Sequence, residues 1–163
     1  MNIARVGIVG ADATYMSPSQ KQKALKLTTN LLNDYMQRFD LVEFRSGRSP
    51  KDGIDVIAET VVDELIKANK NITKDANGIK DGGIFPPSHE HEHWACTSPN
   101  CIGFKKRNML IGDNCDFLHD ITLESRMYCY HCNTDGHRRS GGCWTLKYFK
   151  QQHPITNGYL HII

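Results

Sequence analysis

The sequence predicts an α/β fold, a Rossmann-like three-layer sandwich built on a mainly parallel five-stranded sheet. Short β-branched runs alternate with longer stretches of helical periodicity, the pattern of strands joined by crossover helices. Glycine-rich segments follow the strands, where such a sheet opens its loops. With 163 residues and 39% hydrophobic content, the chain has apolar material for one core and not for two.

The elements follow in order. Arg5-Val6-Gly7-Ile8-Val9-Gly10 is a β-branched run ending in glycine, the form of a buried parallel strand that feeds a turn. Ser17-Pro18 supplies an N-cap and a proline at the first helical position, and Ala24, Leu27, Leu31, Leu32 and Tyr35 recur at helical spacing as far as Arg38. Leu41 to Phe44 is a second strand, and Ile54, Ile57, Ala58, Val61, Val62, Leu65 and Ile66 mark a second amphipathic helix. From Asn69 to about Asp81 the polar, Asn/Lys/Gly-rich sequence predicts a surface loop, followed by a short strand at Gly83-Ile84-Phe85 that Pro86-Pro87 stops. A helix is expected over Lys105 to Gly112, and Asp116 to Ile121 is a fourth strand, unusually polar for a central one. Trp144 to Lys150 is helical in pattern, and Tyr159 to Ile163 forms the fifth strand. No internal repeat or low-complexity segment interrupts this order.

Net charge is +2, too nearly balanced for field strength alone to point to a nucleic-acid or membrane partner. No run approaches the roughly 18 apolar residues of a membrane span, and polar sequence rather than a cleavage region follows the first ten residues. A cytoplasmic protein with no membrane partner is expected. The sequence does not decide whether it forms a homo-oligomer.

In an open parallel sheet, ligands sit beyond the carboxyl ends of the strands, where helix N-termini offer free N-H groups and a positive dipole end. Three loops there combine glycine with a hydroxyl or a charge: Gly10-Ala11-Asp12-Ala13-Thr14, Ser46 to Asp55, and Ser140-Gly141-Gly142-Cys143-Trp144-Thr145. Glycine lets backbone approach a phosphate closely. Plain turn chemistry explains any one of the three equally well.

Together with Gly103-Phe104-Lys105-Lys106-Arg107-Asn108, these loops resemble the SMF/DprA/LOG superfamily of Rossmann-like nucleotide-binding domains. The resemblance runs along nearly the whole chain. It lies in the VGIVGA-type first strand, SGRSPKDGIDVIAE where the family has SGxxxxGxDxxAE, FKKRNMLIGDNCDFL for RNxxIAxxxDxL, and SGGCWTLKYF for a GGTxxTxxxA-like loop. The superfamily includes nucleotide phosphoribohydrolases, the DNA-processing protein of natural transformation and sensor domains for nucleotide-derived signals. The resemblance therefore implies that 1–163 is a single domain binding a nucleotide-like small molecule, for sensing or sequestration. It places Gly141, Gly142 and Thr145 around a phosphate, with Ser140 in the same loop, Gly10 and Ala11 after the first strand, and Gly47, Gly53 and Asp55 shaping the second loop. Arg107 and Asn108 fall at the edge of the site. As a bare sequence feature, Asp55 is also a helix-start charge favoured by the dipole, and Arg107 is also a solvated helix cation.

One departure bears on chemistry. The phosphoribohydrolase branch carries a PGGxGTxxE loop with a catalytic Glu, whereas this chain reads Gly141-Gly142-Cys143-Trp144-Thr145-Leu146-Lys147-Tyr148. Cleaving an N-glycosidic bond needs a carboxylate or a water-activating base near the anomeric carbon. Asp12, Asp55, Asp120 and Glu124 are the other acids near strand ends, and Asp120 is the catalytic candidate, since a charge late in a central strand is otherwise hard to accommodate. An edge-strand or loop carboxylate in water is the alternative. An enzyme acting on that bond is thus the rival to simple binding.

Six cysteines complete the pattern. Cys96-x4-Cys101 and Cys129-x2-Cys132 have structural zinc-ligand spacing, and loops after the third and fourth strands, about 86–103 and 125–140, would emerge at the same end of a parallel sheet. A closed, structural zinc site is expected, with disulfides or free thiols as alternatives. His89, His91 and His93 are rival ligands, as is His137. Cys115 reads as a small buried residue, and Cys143 as a packing residue or a thiol activated at a helix start. Lys105, Lys106, Arg107, Arg126, His137, Arg138 and Arg139 suit an anionic ligand or a nucleic-acid backbone. Single-stranded nucleic acid is the second alternative function, disfavoured by the lack of a long basic stripe with interleaved aromatics.

Overall fold

In the computed structural model, residues 1–47, 52–74, 104–124 and 141–163 are described. They form β1 (Ile3–Gly10), α1 (Pro18–Arg38), β2 (Leu41–Arg45), α2 (Ile54–Lys67), β3 (Ile72–Thr73), α3 (Phe104–Asp113), β4 (Phe117–Thr122), α4 (Gly141–Gln152) and β5 (Gly158–Ile162), with short 3-10 turns at Ala13–Tyr15 and Ile155–Asn157. The strands make one sheet in the order β3-β2-β1-β4-β5, and every pairing is parallel. This is the predicted Rossmann-like architecture. It puts the carboxyl ends of all strands, and the N-termini of the helices that follow them, at one end of the sheet.

Alternation along the strands builds two cores. Ala4, Val6 and Ile8 of β1, Val42 and Phe44 of β2, and Ile121 of β4 pack with Ala24, Leu32 and Tyr35 of α1 and with Ile54, Ala58 and Val62 of α2. Val9 and Leu118 face the other way and pack with Ile111 of α3 and Leu146 and Phe149 of α4. The sheet is thus a buried middle layer, which is why β1 reads as a continuous apolar run.

α1 begins as the sequence predicts. Ser17 accepts from the Gln20 amide, the Gln20 side chain accepts from the Ser17 amide, and Pro18 takes the first position, where its missing N-H costs nothing. At Gly7 the backbone is close to α3's exit: a Cβ there would stand 2.6 Å from the Cys115 sulfur. Cys115 is buried, and burial pushes its thiol pKa up to about 12, so it is a packing residue as expected.

Two expectations change and one alternative is set aside. The third strand is Ile72–Thr73, inside the stretch read as loop; two residues paired to β2 leave no period-2 signal, and Asn71 is held by donating to the carbonyls of Met36, Phe39 and Asp40. The strand expected at Gly83-Ile84-Phe85 lies outside the described residues. α4 starts three residues earlier than predicted, at Gly141, because Gly141 and Gly142 are helical rather than a turn before the helix. Asp120 is neither an edge nor a water-exposed carboxylate, for β4 lies between β1 and β5 and Asp120 is 0% exposed.

Candidate functional site

Beyond the carboxyl ends of β1 and β2 lies a cleft of about 530 Å³ including its open mouth. Three loops converge on it. Gly10, Ala11 and Asp12 come from the end of β1, Gly47, Gly53, Ile54 and Asp55 from the β2–α2 connection, and Gly141, Gly142 and Thr145 from the start of α4. Arg107, Asn108 and Ile111 of α3 form the remaining wall. The structure therefore brings together ten of the predicted ligand-binding residues: Gly10, Ala11, Gly47, Gly53, Asp55, Arg107, Asn108, Gly141, Gly142 and Thr145. Ser140 lies outside the described residues. Asp12, Val9, Ile54 and Ile111 line the cleft without having been assigned to it; Val9, Ile54 and Ile111 gave no signal beyond ordinary core periodicity.

The first two loops are stitched into one wall. Ala13 N-H donates to Asp52 O at 2.7 Å and Ile54 N-H donates to Ala11 O at 3.0 Å, around a bridge between Asp12 and Gly53. Gly53 is required by this approach, since a Cβ would stand 2.7 Å from Asp12 Cα and 2.8 Å from Ala11 O, both rigid backbone atoms. The Asp12 side chain accepts from Thr14 N-H, capping the short turn that follows. Gly10 is equally constrained, because a Cβ would overlap the Ile121 carbonyl.

Charge is concentrated on the opposite side. A Cβ on Gly47 would lie 3.2 Å from Arg107 Cζ and 3.2 Å from Asp55 Oδ2, so a guanidinium and a carboxylate meet over this glycine. Arg107 is half-buried and faces the cleft, which sets aside its reading as a solvated helix cation. Asp55 is in the first turn of α2, where the dipole favours a negative charge, and it lines the cleft as well.

At the α4 wall the donors are mainly backbone. The Thr145 hydroxyl donates to Gly141 O at 2.7 Å, back along its own helix. Asn108, almost fully buried, points its amide nitrogen at the same carbonyl at 3.5 Å, bringing α3 up to the first residue of α4. Asp120 lies directly beneath: its Oδ1 is 2.7 Å from where a Gly142 Cβ would be, and Gly10 Cα is 3.4 Å from that same point. Gly142 thus separates a buried carboxylate from the cleft, and Asp120 is not among the cleft-lining residues. The carboxylates that line the cleft are Asp12 and Asp55. Cys143, in the first turn of α4, is buried.

Cys96, Cys101, Cys129 and Cys132 lie outside the described residues, as do His89, His91, His93 and His137. Among the described residues no group of three or more His, Cys, Asp or Glu side chains could hold a metal ion. No described helix is long and apolar enough to cross a membrane.

No family profile matches the chain, and no curated protein matches it. Among solved structures it is similar to DNA processing protein A from Helicobacter pylori, with a TM-score of 0.51 at 13% sequence identity. The likeness covers 98% of this chain and 65% of that one, so the chain spans less than two thirds of its neighbour's length. At this identity the similarity concerns the fold, and it agrees with the Rossmann-like sheet described above.

Proposed function

We propose that the cleft binds the phosphate-bearing part of a nucleotide, and that the chain is a nucleotide-binding relative of the SMF/DprA/LOG superfamily. One observation carries the reading: five glycines from three segments, Gly10 at the end of β1, Gly47 and Gly53 in the β2–α2 connection and Gly141 and Gly142 in the first turn of α4, converge with Arg107 on one cleft at the carboxyl end of a parallel sheet. Missing side chains let backbone amides approach phosphate oxygens, and a half-buried guanidinium adds charge-assisted hydrogen bonds. Asp55, beside Arg107, suits a ligand hydroxyl or amino group, because a carboxylate accepts where a phosphate cannot donate.

A second reading places that nucleotide within a single strand. The similar Helicobacter pylori protein is described as binding single-stranded DNA. Lys105 and Lys106 are exposed on the helix that carries Arg107, and Trp144 and Tyr148 stack 5.4 Å apart on the helix that begins with the two glycines. Exposed cations and stacked aromatic rings are the elements from which single-strand surfaces are built. Of the two sources, the strand has the support of the structural neighbour, whereas the small cleft by itself favours a free nucleotide.

The experiment is a thermal-shift panel of nucleoside monophosphates, ADP-ribose and cyclic nucleotides, run beside fluorescence anisotropy with a labelled thymidine oligonucleotide, with chromatography for released base. Stabilisation by an intact mononucleotide supports the first source. Oligonucleotide affinity that falls steeply with salt, without mononucleotide binding, supports the second. Free base would make the protein a glycosidase, with Asp12 and Asp55 rather than the enclosed Asp120 as its candidate acids. Binding of none of these probes would overturn the proposal.

We propose in addition that Cys96, Cys101, Cys129 and Cys132 hold a structural zinc ion. Support comes from their spacing and from the described ends of the two connections, which leave the sheet after β3 and β4 at its carboxyl end and return at the N-termini of α3 and α4.

A further inference from the structure

Away from the cleft, three polar side chains form a continuous hydrogen-bonded line through the α1 side of the sheet. The Tyr35 hydroxyl of α1 is 2.9 Å from His119 Nε2 on β4, and His119 Nδ1 is 2.9 Å from His161 Nε2 on β5. The Tyr159 ring is stacked on His119 at 4.6 Å with an interplanar angle of 8°, and Tyr35 meets the same imidazole edge-on. His119 is 3% exposed, while His161 is half-buried on the edge strand. Both ring nitrogens of His119 are therefore engaged, and the outer end of the line is the end that water can reach.

Counting protons restricts what such a line can do. A neutral imidazole has one N-H and one acceptor nitrogen. If Tyr35 donates to Nε2, His119 must donate from Nδ1 to His161. If His161 donates to Nδ1, then His119 donates from Nε2 to the Tyr35 oxygen. A proton added to His161 leaves its Nε2 with a hydrogen and permits only the second direction. A further proton on His119 would set two N-H groups face to face and break the link between β4 and β5 side chains.

We propose that Tyr35, His119 and His161 act as a one-proton, acid-sensing relay between the edge strand and α1. The net change is one proton gained: the His119 Nδ1 proton passes to His161 Nε2, a proton from water, admitted when the line opens, is taken up at His119 Nε2, and the Tyr35 hydroxyl turns from donor to acceptor while His119 stays neutral as the other tautomer. The surroundings agree among the described residues. From α1, the charged groups near Tyr35 are Asp34 and Arg38, which bridge each other at 2.8 Å; β5 adds Tyr159, and β1 presents the apolar Ile8 opposite His119. No described carboxylate pairs with either imidazole. Burial, and secondarily His161, depress the His119 pKa to about 3, and burial also lowers that of His161, so the more exposed ring is protonated first.

The test is a histidine nitrogen titration by NMR on the full chain between pH 7.5 and 4.5. Both His119 nitrogens should shift with the midpoint of His161, ending at the pattern of a neutral ring protonated on Nε2. In folded His161→Gln this coupled shift should vanish. In Tyr35→Phe, which removes the inner partner and leaves His161 in place, the His119 endpoint should move while the midpoint remains that of His161. His119 nitrogens that stay flat while His161 titrates, or that titrate to an imidazolium with a midpoint of their own in this range, would overturn the relay. If His161→Gln does not fold, the wild-type and Tyr35→Phe titrations decide the matter by the same criteria.

Discussion

Gly142→Ala places a methyl group between the cleft and the carboxylate beneath it. The new carbon would stand 2.7 Å from Asp120 Oδ1 and 3.3 Å from its Cγ, where ordinary contact begins near 3.4 Å. Asp120 has no room to retreat, being a short side chain on a strand paired on both sides, so either its carboxyl group leaves its rotamer or α4 lifts. Such overpacking costs about 1–3 kcal/mol. Replacing a helical glycine by alanine returns about 0.5–1 kcal/mol. The net loss should be up to about 2.5 kcal/mol, about 1 kcal/mol at the middle of the ranges, lowering Tm by roughly 2–10 °C for a chain of this length. Ligand affinity should fall by about tenfold or more, since the first amides of α4 move with the helix. Gly141→Ala is the internal control, because among the described residues a Cβ there meets only the Asn108 amide nitrogen, at 3.1 Å, and that group can swing aside. Its melting point should stay within about 2 °C of wild type. Thermal unfolding followed by circular dichroism reads the stabilities and anisotropy reads the affinities. If Gly142→Ala melts and binds as wild type does, or Gly141→Ala loses as much stability, the packing under α4 is not as described.

His119 is held neutral, with a pKa near 3, so the unfolded chain takes up a proton below its ordinary value of about 6.5 that the folded chain refuses. This contribution is complete above pH 6.5 and is lost as pH falls from there toward 3, at up to about 1.4 kcal/mol per pH unit. Urea melts at pH 7, 6 and 5 should therefore show a steeper loss for wild type than for His119→Phe, and equal slopes would refute it. Gly7→Ala drives a methyl group to 2.6 Å from Cys115 Sγ and 2.8 Å from Leu118 Cδ1, and should cost about 1–3 kcal/mol. Adding Cys115→Ala should recover part of that loss in a double-mutant cycle, and strict additivity would contradict the contact. Metal analysis of the purified protein should find about one zinc per chain, and Cys101→Ser or Cys129→Ser should lower both metal content and Tm. Full thermal stability after exhaustive chelation, with no metal detected beforehand, would contradict the zinc proposal.

Local signals and long-range ones were unequally legible in the sequence. Ser17-Pro18 with Gln20 announces the start of α1, because capping chemistry is confined to four adjacent residues. The order of strands and helices is likewise visible in periodicity. β3 is not, since Ile72–Thr73 is fixed by pairing with β2 and by Asn71, whose partners lie more than 30 residues away. Gly141-Gly142 reads as a turn from composition, yet tertiary packing over Asp120 makes it the first turn of α4. Asp120 reads from sequence either as an acid in a central strand or as a water-exposed edge carboxylate, and only the sheet order and its burial decide for the first. Ten cleft-lining residues could be named because the glycine-rich loops after parallel strands share one end of the sheet and because the superfamily resemblance added positions such as Arg107 and Asn108 on α3, which no local motif singles out. The Tyr35–His119 pair had no such guide, for 84 positions separate its members and the residues between them carry no period that joins them.

The central claim, a nucleotide-phosphate site over the glycines of three loops, is tested most directly by amide chemical-shift mapping of the labelled protein. AMP and a short thymidine oligonucleotide would be titrated separately. At least one of them should shift the amides of Gly10, Gly47, Gly53, Asn108, Gly141 and Gly142 together, and Arg107→Ala should weaken that response by about tenfold or more. Shifts centred on another surface, such as Tyr159 and Ile162 on the edge strand, with the six cleft amides unmoved, would contradict the account.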